Sequence, residues 1–138
     1  SIDNLLYFID DNWLNFLAQY KMQIILMCDR AMLSLARYWL NREWRIINVI
    51  DATANTSKVM QNICDILRWK SVPPPKGKVM TENEVKTLCY MAKGNSLAKI
   101  ASKLGCSIKS AYGYQYSLCK KLGGLTRISD LRFKHQIV

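Results

Sequence analysis

A chain of 138 residues has room for one ordinary domain or two small ones, and with half its residues hydrophobic and a mean hydropathy near zero it is no disordered polymer. No run approaches the ~20 uninterrupted apolar residues of a spanning helix, and no basic region precedes the first apolar run, so a membrane anchor and a secretory leader are not expected and the protein reads as cytoplasmic. The formal charge of +10 is uneven: residues 1–70 hold eight Lys/Arg against seven Asp/Glu, whereas residues 71–138 hold twelve against three, a polycation suited to a polyphosphate partner.

Three similar units come first. Leu5–Ile9, Gln23–Met27 and Arg45–Ile50 are short apolar runs that suit strands buried on both faces. Each is followed by acid (Asp10 and Asp11, Asp29, Asp51) and then by a helical pattern, over Trp13–Tyr20, Ala31–Asn41 and Ser57–Trp69. In the third helix Val59, Ile63, Ile66 and Leu67 share a stripe, and Thr56 or Ser57 can cap it. This alternation predicts an α/β part with a parallel sheet.

Residues 71–79, with Pro73-Pro74-Pro75 and then Lys76, Gly77 and Lys78, cannot continue a helix and read as a semi-stiff linker. The jump in charge falls at the same place, so the expected division is 1–70, linker 71–79, and 80–138.

Beyond the linker the pattern is all-α. Thr81 with Glu84 forms a capping box, opening a helix with Val85, Leu88 and Met91 on one face and a stop at Gly94. Ser96 caps a second helix (Leu97, Ile100, Ala101, Leu104) ending at Gly105. Ser107 caps a third, running to Leu122 and closed by Gly123-Gly124, and a fourth covers Arg127–Phe133. A helix, a short Gly-containing turn and a longer helix is the helix-turn-helix layout.

The five cysteines (Cys28, Cys64, Cys89, Cys106, Cys119) include no C-x-x-C, and His135 is the single histidine, so zinc spacing is absent and the thiols read as small buried residues in a reducing compartment. No metal cluster, nucleophile–base arrangement or phosphate loop points to an enzyme or to a cofactor. No small-molecule ligand is indicated.

The stretch MTENEVKTLCYMAKGNSLAKIASKLGCSIKSAYGYQYSLCKKLGG resembles the LuxR/FixJ (NarL-type) helix-turn-helix. The match lies in Met80-Thr81, Glu84, Val85, Leu88, Ala92, Gly94, Ser96, Lys99-Ile100-Ala101, Leu104, Ser107, Ser110-Ala111, Leu118 and Lys121-Leu122-Gly123. Several of these are scaffold: Ala101 lets the helices cross, and Ile100, Leu104, Ala111 and Leu118 fill the core between them. The resemblance implies double-stranded DNA as partner, with the third helix in the major groove. Ser107, Lys109 and Ser110 at its start suit phosphate. The family's base-contacting positions fall on Tyr112, Gly113 and Tyr116, and two tyrosines there depart from the usual lysine or small residue. Tyrosine cannot make the bidentate guanine contact, so an A·T-leaning or shape-read site is expected. Lys99, Lys103, Lys120 and Lys121 flank the helix as candidate phosphate clamps, while Tyr114, where the family often has histidine, is expected at a helix interface. The fourth helix matches the family's dimer-forming element, with Leu125, Ile128, Leu131 and Phe133 as its apolar residues.

In that context the first half resembles the back of a receiver domain, with LLYFIDDNW like the third strand and Asp10 at the degenerate phosphoacceptor position. QIILMCDRA resembles the fourth strand, with Cys28 where a Ser or Thr switch stands, and the fifth strand has Ile50 in place of the lysine. Without a front acidic pair no metal is held, so Asp10 and Asp11 are not expected to be phosphorylated. Trp39, Trp44 and Trp69, with Tyr38, are available for an association surface or, for the tryptophans, for the core. The reading is a phosphorylation-independent LuxR-type transcription regulator, acting as a homodimer or heterodimer. The alternative is a protein-interaction modulator of another regulator with weak DNA binding or none.

Overall fold

The computed structural model describes residues 12–17 and 19–122. The expected first strand, Leu5–Ile9, with Asp10 and Asp11, lies outside the described residues, as do Gly123-Gly124 and the expected fourth helix Arg127–Phe133.

The N-terminal half begins with helix α1 (Asn12–Leu17), followed by strand β1 (Ile24–Cys28), helix α2 (Leu33–Arg42), strand β2 (Ile46–Asp51) and helix α3 (Thr56–Leu67). β1 and β2 are parallel, so α2 is the crossover of a βαβ unit. Ile24 pairs with Ile46 but Ile25 pairs with Asn48, so β2 carries one extra residue, Ile47, at this point. Such a slip shifts the alternation of side chains between the two faces. Asn48, buried in the middle of β2, is satisfied on both sides: its Oδ1 accepts from the Val49 N–H at 2.8 Å and its Nδ2 donates to the Val72 carbonyl at 2.7 Å.

Helix boundaries follow local chemistry, with three departures from expectation. Asp29 caps a 3-10 turn (Arg30–Met32) through the Met32 N–H, and only then does α2 begin. α3 is capped by Asn55, which accepts from the Ser57 N–H at 2.8 Å, rather than by Thr56 or Ser57. Leu67 was expected on the buried stripe but is 68% exposed, because α3 ends there and the chain turns away through Trp69 at φ +61°.

The C-terminal half is helical: α4 (Glu82–Ala92), α5 (Leu97–Leu104) and α6 (Ile108–Lys121). The Thr81–Glu84 capping box is fully formed, and Ser96 and Ser107 each accept from a backbone N–H three residues on. Gly105 takes φ +65°, a conformation that a side chain would strain. Cys106 and Ser107 complete the turn into α6.

One hydrophobic cluster draws on both halves. Leu14, Leu35, Trp39 and Ile46 pack with Met80, Val85, Leu88, Leu118, Cys119 and Leu122. Trp39, open in the sequence between core and association surface, is core: it is 7% exposed and edge-on to Trp13, with ring centroids 5.8 Å apart. Full burial of each aliphatic member stabilises by about 1.5–3 kcal/mol. Polar bonds cross the same seam. The Met80 N–H donates to the Ser34 carbonyl at 3.1 Å, and the Ser34 hydroxyl donates to the Lys121 carbonyl at 3.2 Å. Arg37 donates to the Gly77 carbonyl at 2.6 Å. A second cluster (Ile50, Val59, Ile66) fixes α3 to the sheet, and a third (Ile100, Ala101, Ala111) sits at the α5–α6 crossing.

Among the cysteines only Cys119 is buried. Cys64 is exposed and Cys28, Cys89 and Cys106 are half-buried, which corrects the expectation of five buried thiols; none is in a disulfide.

Candidate nucleic-acid interface

The two long sides of α6 are opposite in character. Ala111, Gln115, Leu118 and Cys119 are buried, at the spacing of one helical face. Lys109, Tyr112, Gly113, Tyr116 and Lys120 recur at the complementary spacing and all are exposed. The N-terminal half packs on the buried side, at Leu118, Cys119 and Leu122, and leaves this outer row open to solvent. The Lys120 ammonium sits 4.5 Å from the centre of the Tyr116 ring, a cation–π pair that restrains both side chains.

At the start of α6 the Ser107 hydroxyl accepts from the Ser110 N–H at 3.1 Å and donates to the Ser110 hydroxyl at 3.0 Å. Ser107 is thus occupied as a cap, while Ser110 keeps its own proton for an outside acceptor. Both are exposed, as is Lys109 beside them. Lys99, on the first turn of α5, is exposed, and its N–H is bonded to Ser96 at 3.3 Å. Lys103 is also exposed and lies 5.0 Å from the centre of the Tyr90 ring.

Lys121 does not join this row. Tyr114, Ser117 and Lys121 fall on the flank of α6 facing the start of α4. The Tyr114 hydroxyl accepts from Asn83 at 3.1 Å, which places it at the expected helix interface. The Lys121 ammonium bonds the Glu84 carboxylate at 2.6 Å and the Val79 carbonyl at 3.0 Å, with its side chain only 15% exposed. Burial alone would raise the Glu84 carboxyl. Hydrogen bonds from Lys121, from the Thr81 N–H and hydroxyl, and from Ser117 outweigh it and hold the group below its ordinary value. Lys121 is therefore a structural cation, a role invisible in local sequence because its partner is 37 residues away.

A thiol and a carboxylate stand at the C-terminal ends of the two strands. Cys28 ends β1, and burial, reinforced by the charges of Asp29 and Asp51, pushes its thiol up to about 11. Asp51 ends β2 beside it. Its carboxylate is bonded by the Thr53 hydroxyl and N–H and by Arg30, which together hold it below the usual carboxylate range. No group of three or more His, Cys, Asp or Glu able to hold a metal occurs among the described residues, and no described helix is long and apolar enough to cross a membrane.

Comparison with known proteins adds a family signal to the first half. Residues 1–67 match the family model of the EcpR N-terminal domain. That match ends at Leu67, the last residue of α3. Over 131 residues, 95% of its length, the chain is 30% identical to the Escherichia coli (strain K12) protein named "Uncharacterized protein YqeH", and it spans 61% of that relative. A solved structure of the response regulator RcsB in complex with DNA is 18% identical, covering 91% of this chain and 66% of that one at a TM-score of 0.46. A Salmonella typhimurium RcsB structure is 19% identical, covering 86% and 64%, at a TM-score of 0.37. At these scores neither superposition fixes the fold or the function of this chain.

Proposed function

We propose that this chain is a LuxR-type, DNA-binding transcription regulator that works without phosphorylation. In this reading 80–138 reads DNA, 71–79 connects, and 1–70 is an association part that pairs with a second copy or with another regulator. The protein is not an enzyme and acts in the cytoplasm. The observation that carries the reading is the outer row of α6. A helix whose inner side is spent on the core presents Lys109, Tyr112, Gly113, Tyr116 and Lys120 to solvent, with Ser110 and an open N-terminus at its leading end. That arrangement fits phosphate at the helix start and base edges along the row. Cys28 and Ile50, at the positions where a receiver needs a hydroxyl and a lysine, support phosphorylation independence.

The test is duplex binding by the full chain, followed by fluorescence anisotropy across a salt series. The logarithm of affinity is expected to fall linearly with the logarithm of salt, and Lys109→Ala should reduce that slope by about 1. Affinity indifferent to salt would overturn the proposal. The alternative, a modulator of another regulator, is favoured by the lack of any arginine on the α6 row; binding seen only after a second regulator is added would establish it.

A further inference from the structure

A cleft of about 480 Å³ opens on the side of the molecule where the two halves and the connecting segment meet. Its walls come from five parts of the chain. Arg30 lies in the 3-10 turn after β1, Asp51 at the end of β2, Arg37 on α2, Lys76 and Lys78 on the connecting segment, and Lys120 near the end of α6. Asp51 is already bonded by Thr53 and paired with Arg30 at 3.4 Å. Lys121 also reaches the wall, but its charge is matched by Glu84. Arg37, Lys76, Lys78 and Lys120 remain, four cations with no carboxylate ion-paired to them among the described residues.

Arg37 makes this more than a basic surface. Its side chain is carried into the wall by α2 and the residue is only 8% exposed. Nη1 donates to the Gly77 carbonyl, but Nε and Nη2 are covered and have no acceptor among the described residues. A buried guanidinium with two unbonded N–H edges is costly, and a native protein keeps one where an anion or ordered water completes it. Gly77 lies against it: a Cβ there would fall 3.6 Å from the guanidinium carbon, and its φ of +151° is one that side chains rarely adopt. The connecting segment therefore runs close over Arg37, placing Lys76 and Lys78 at the same opening.

We infer that this cleft binds a small phosphorylated anion carrying at least two negative charges, a phosphomonoester or a diphosphate. One guanidinium and three ammonium groups at a single opening suit the charge of a phosphoryl group. The volume lies within the range of small-ligand sites, and Leu33 and Pro75 give the wall an apolar portion on which an organic moiety can rest. A bound anion would tie α2, the connecting segment and α6 together, so it would stabilise the folded chain in proportion to its saturation. The inference rests on Arg37, Lys76 and Lys78, none of which belongs to the outer row of α6; Lys120 is the one residue that the two readings share.

The experiment is thermal denaturation and titration calorimetry of the full chain with pyrophosphate, at ionic strength held constant with potassium chloride. A saturable rise in melting temperature and measurable heat of binding are expected. In the double variant Lys76→Ala/Lys78→Ala, whose side chains are exposed and outside the core, the dissociation constant should weaken by about tenfold or more, the effect of losing charged contacts. Arg37→Met should abolish the response, and the double variant keeps the test decisive if that protein fails to fold. Lys58→Ala, remote from the cleft on α3, should bind as wild type. Adenosine diphosphate in parallel separates the two sources: tighter binding than pyrophosphate assigns a nucleotide-like ligand, and equal or weaker binding assigns the inorganic group. A melting temperature that responds no more to pyrophosphate than to chloride overturns the inference, and so does a response unchanged in the double variant. If the double variant loses duplex DNA affinity while pyrophosphate gives no effect in wild type, the cleft belongs to the DNA track and the small-anion assignment fails.

Discussion

Gly113 is an instructive side chain on α6 because it has none. It sits in mid-helix, where glycine costs about 1 kcal/mol relative to alanine, yet a Cβ built there meets nothing within 4 Å. No contact among the described residues demands it. Gly113→Ala is therefore expected to raise the melting temperature while weakening duplex binding several-fold, since the DNA reading brings the groove close to that backbone. A gain in stability with unchanged affinity would remove Gly113 from the interface. The Glu84–Lys121 pair makes a different prediction. Because the folded state holds the Glu84 carboxyl below its unfolded value, the pair stabilises above the normal glutamate range near ~4.3 and that contribution is lost as pH falls through the lower folded value. Glu84→Gln should lower the urea midpoint at pH 7 and flatten its decline between pH 5 and 3. Parallel acid limbs in the two proteins would contradict this.

At the scale of elements, what was legible in the sequence was what is local. The Thr81–Glu84 box, the Ser96 and Ser107 caps and the left-handed Gly105 were read correctly because each rests on bonds within a few residues. Two strands and their intervening helix also appear where the apolar runs placed them, each shifted by a residue or so. Asn55 was passed over for Thr56 and Ser57 because all three residue types can cap, and only the path of the chain into α3 decides between them. The role of Lys121, and the choice for Trp39 between core and association surface, escape the sequence for a longer-range reason. The burial of one and the ion pair of the other depend on how the helical half docks, which no periodicity reports. The outer row of α6 was visible as spacing, whereas the Arg37 cleft was not, since its walls come from residues 30 to 121. Of the readable signals the α6 cap is the simplest to test: Ser107→Ala should destabilise by about 1 kcal/mol in chemical denaturation, with the helix start frayed by hydrogen exchange.

The whole molecule is governed by the cluster shared between its halves. A proline-bearing connector suggests independent parts, but Leu35, Trp39 and Ile46 bury themselves against Met80, Leu88 and Leu118. The connector itself is bonded at Val72 and Gly77. The two halves are therefore expected to unfold in a single transition. All four tryptophans lie before residue 70, whereas far-UV dichroism draws on the helices of both halves, so the two signals should coincide on heating. Trp39→Ala should destabilise both together by about 3–5 kcal/mol. Separate midpoints for fluorescence and dichroism would show that the shared cluster is not cooperative.

The same seam has a mechanical consequence. With Ser34 bonded at Met80 and at Lys121, to either side of the described helices of the second half, the first half cannot swivel without breaking the shared core. The protein is then a ruler rather than a pair of tethered beads. Whatever joins two copies through their first halves would also fix the distance and the rotational phase at which two recognition helices meet a duplex, so correctly spaced targets would be distinguished from misphased ones by geometry alone, before any base is read.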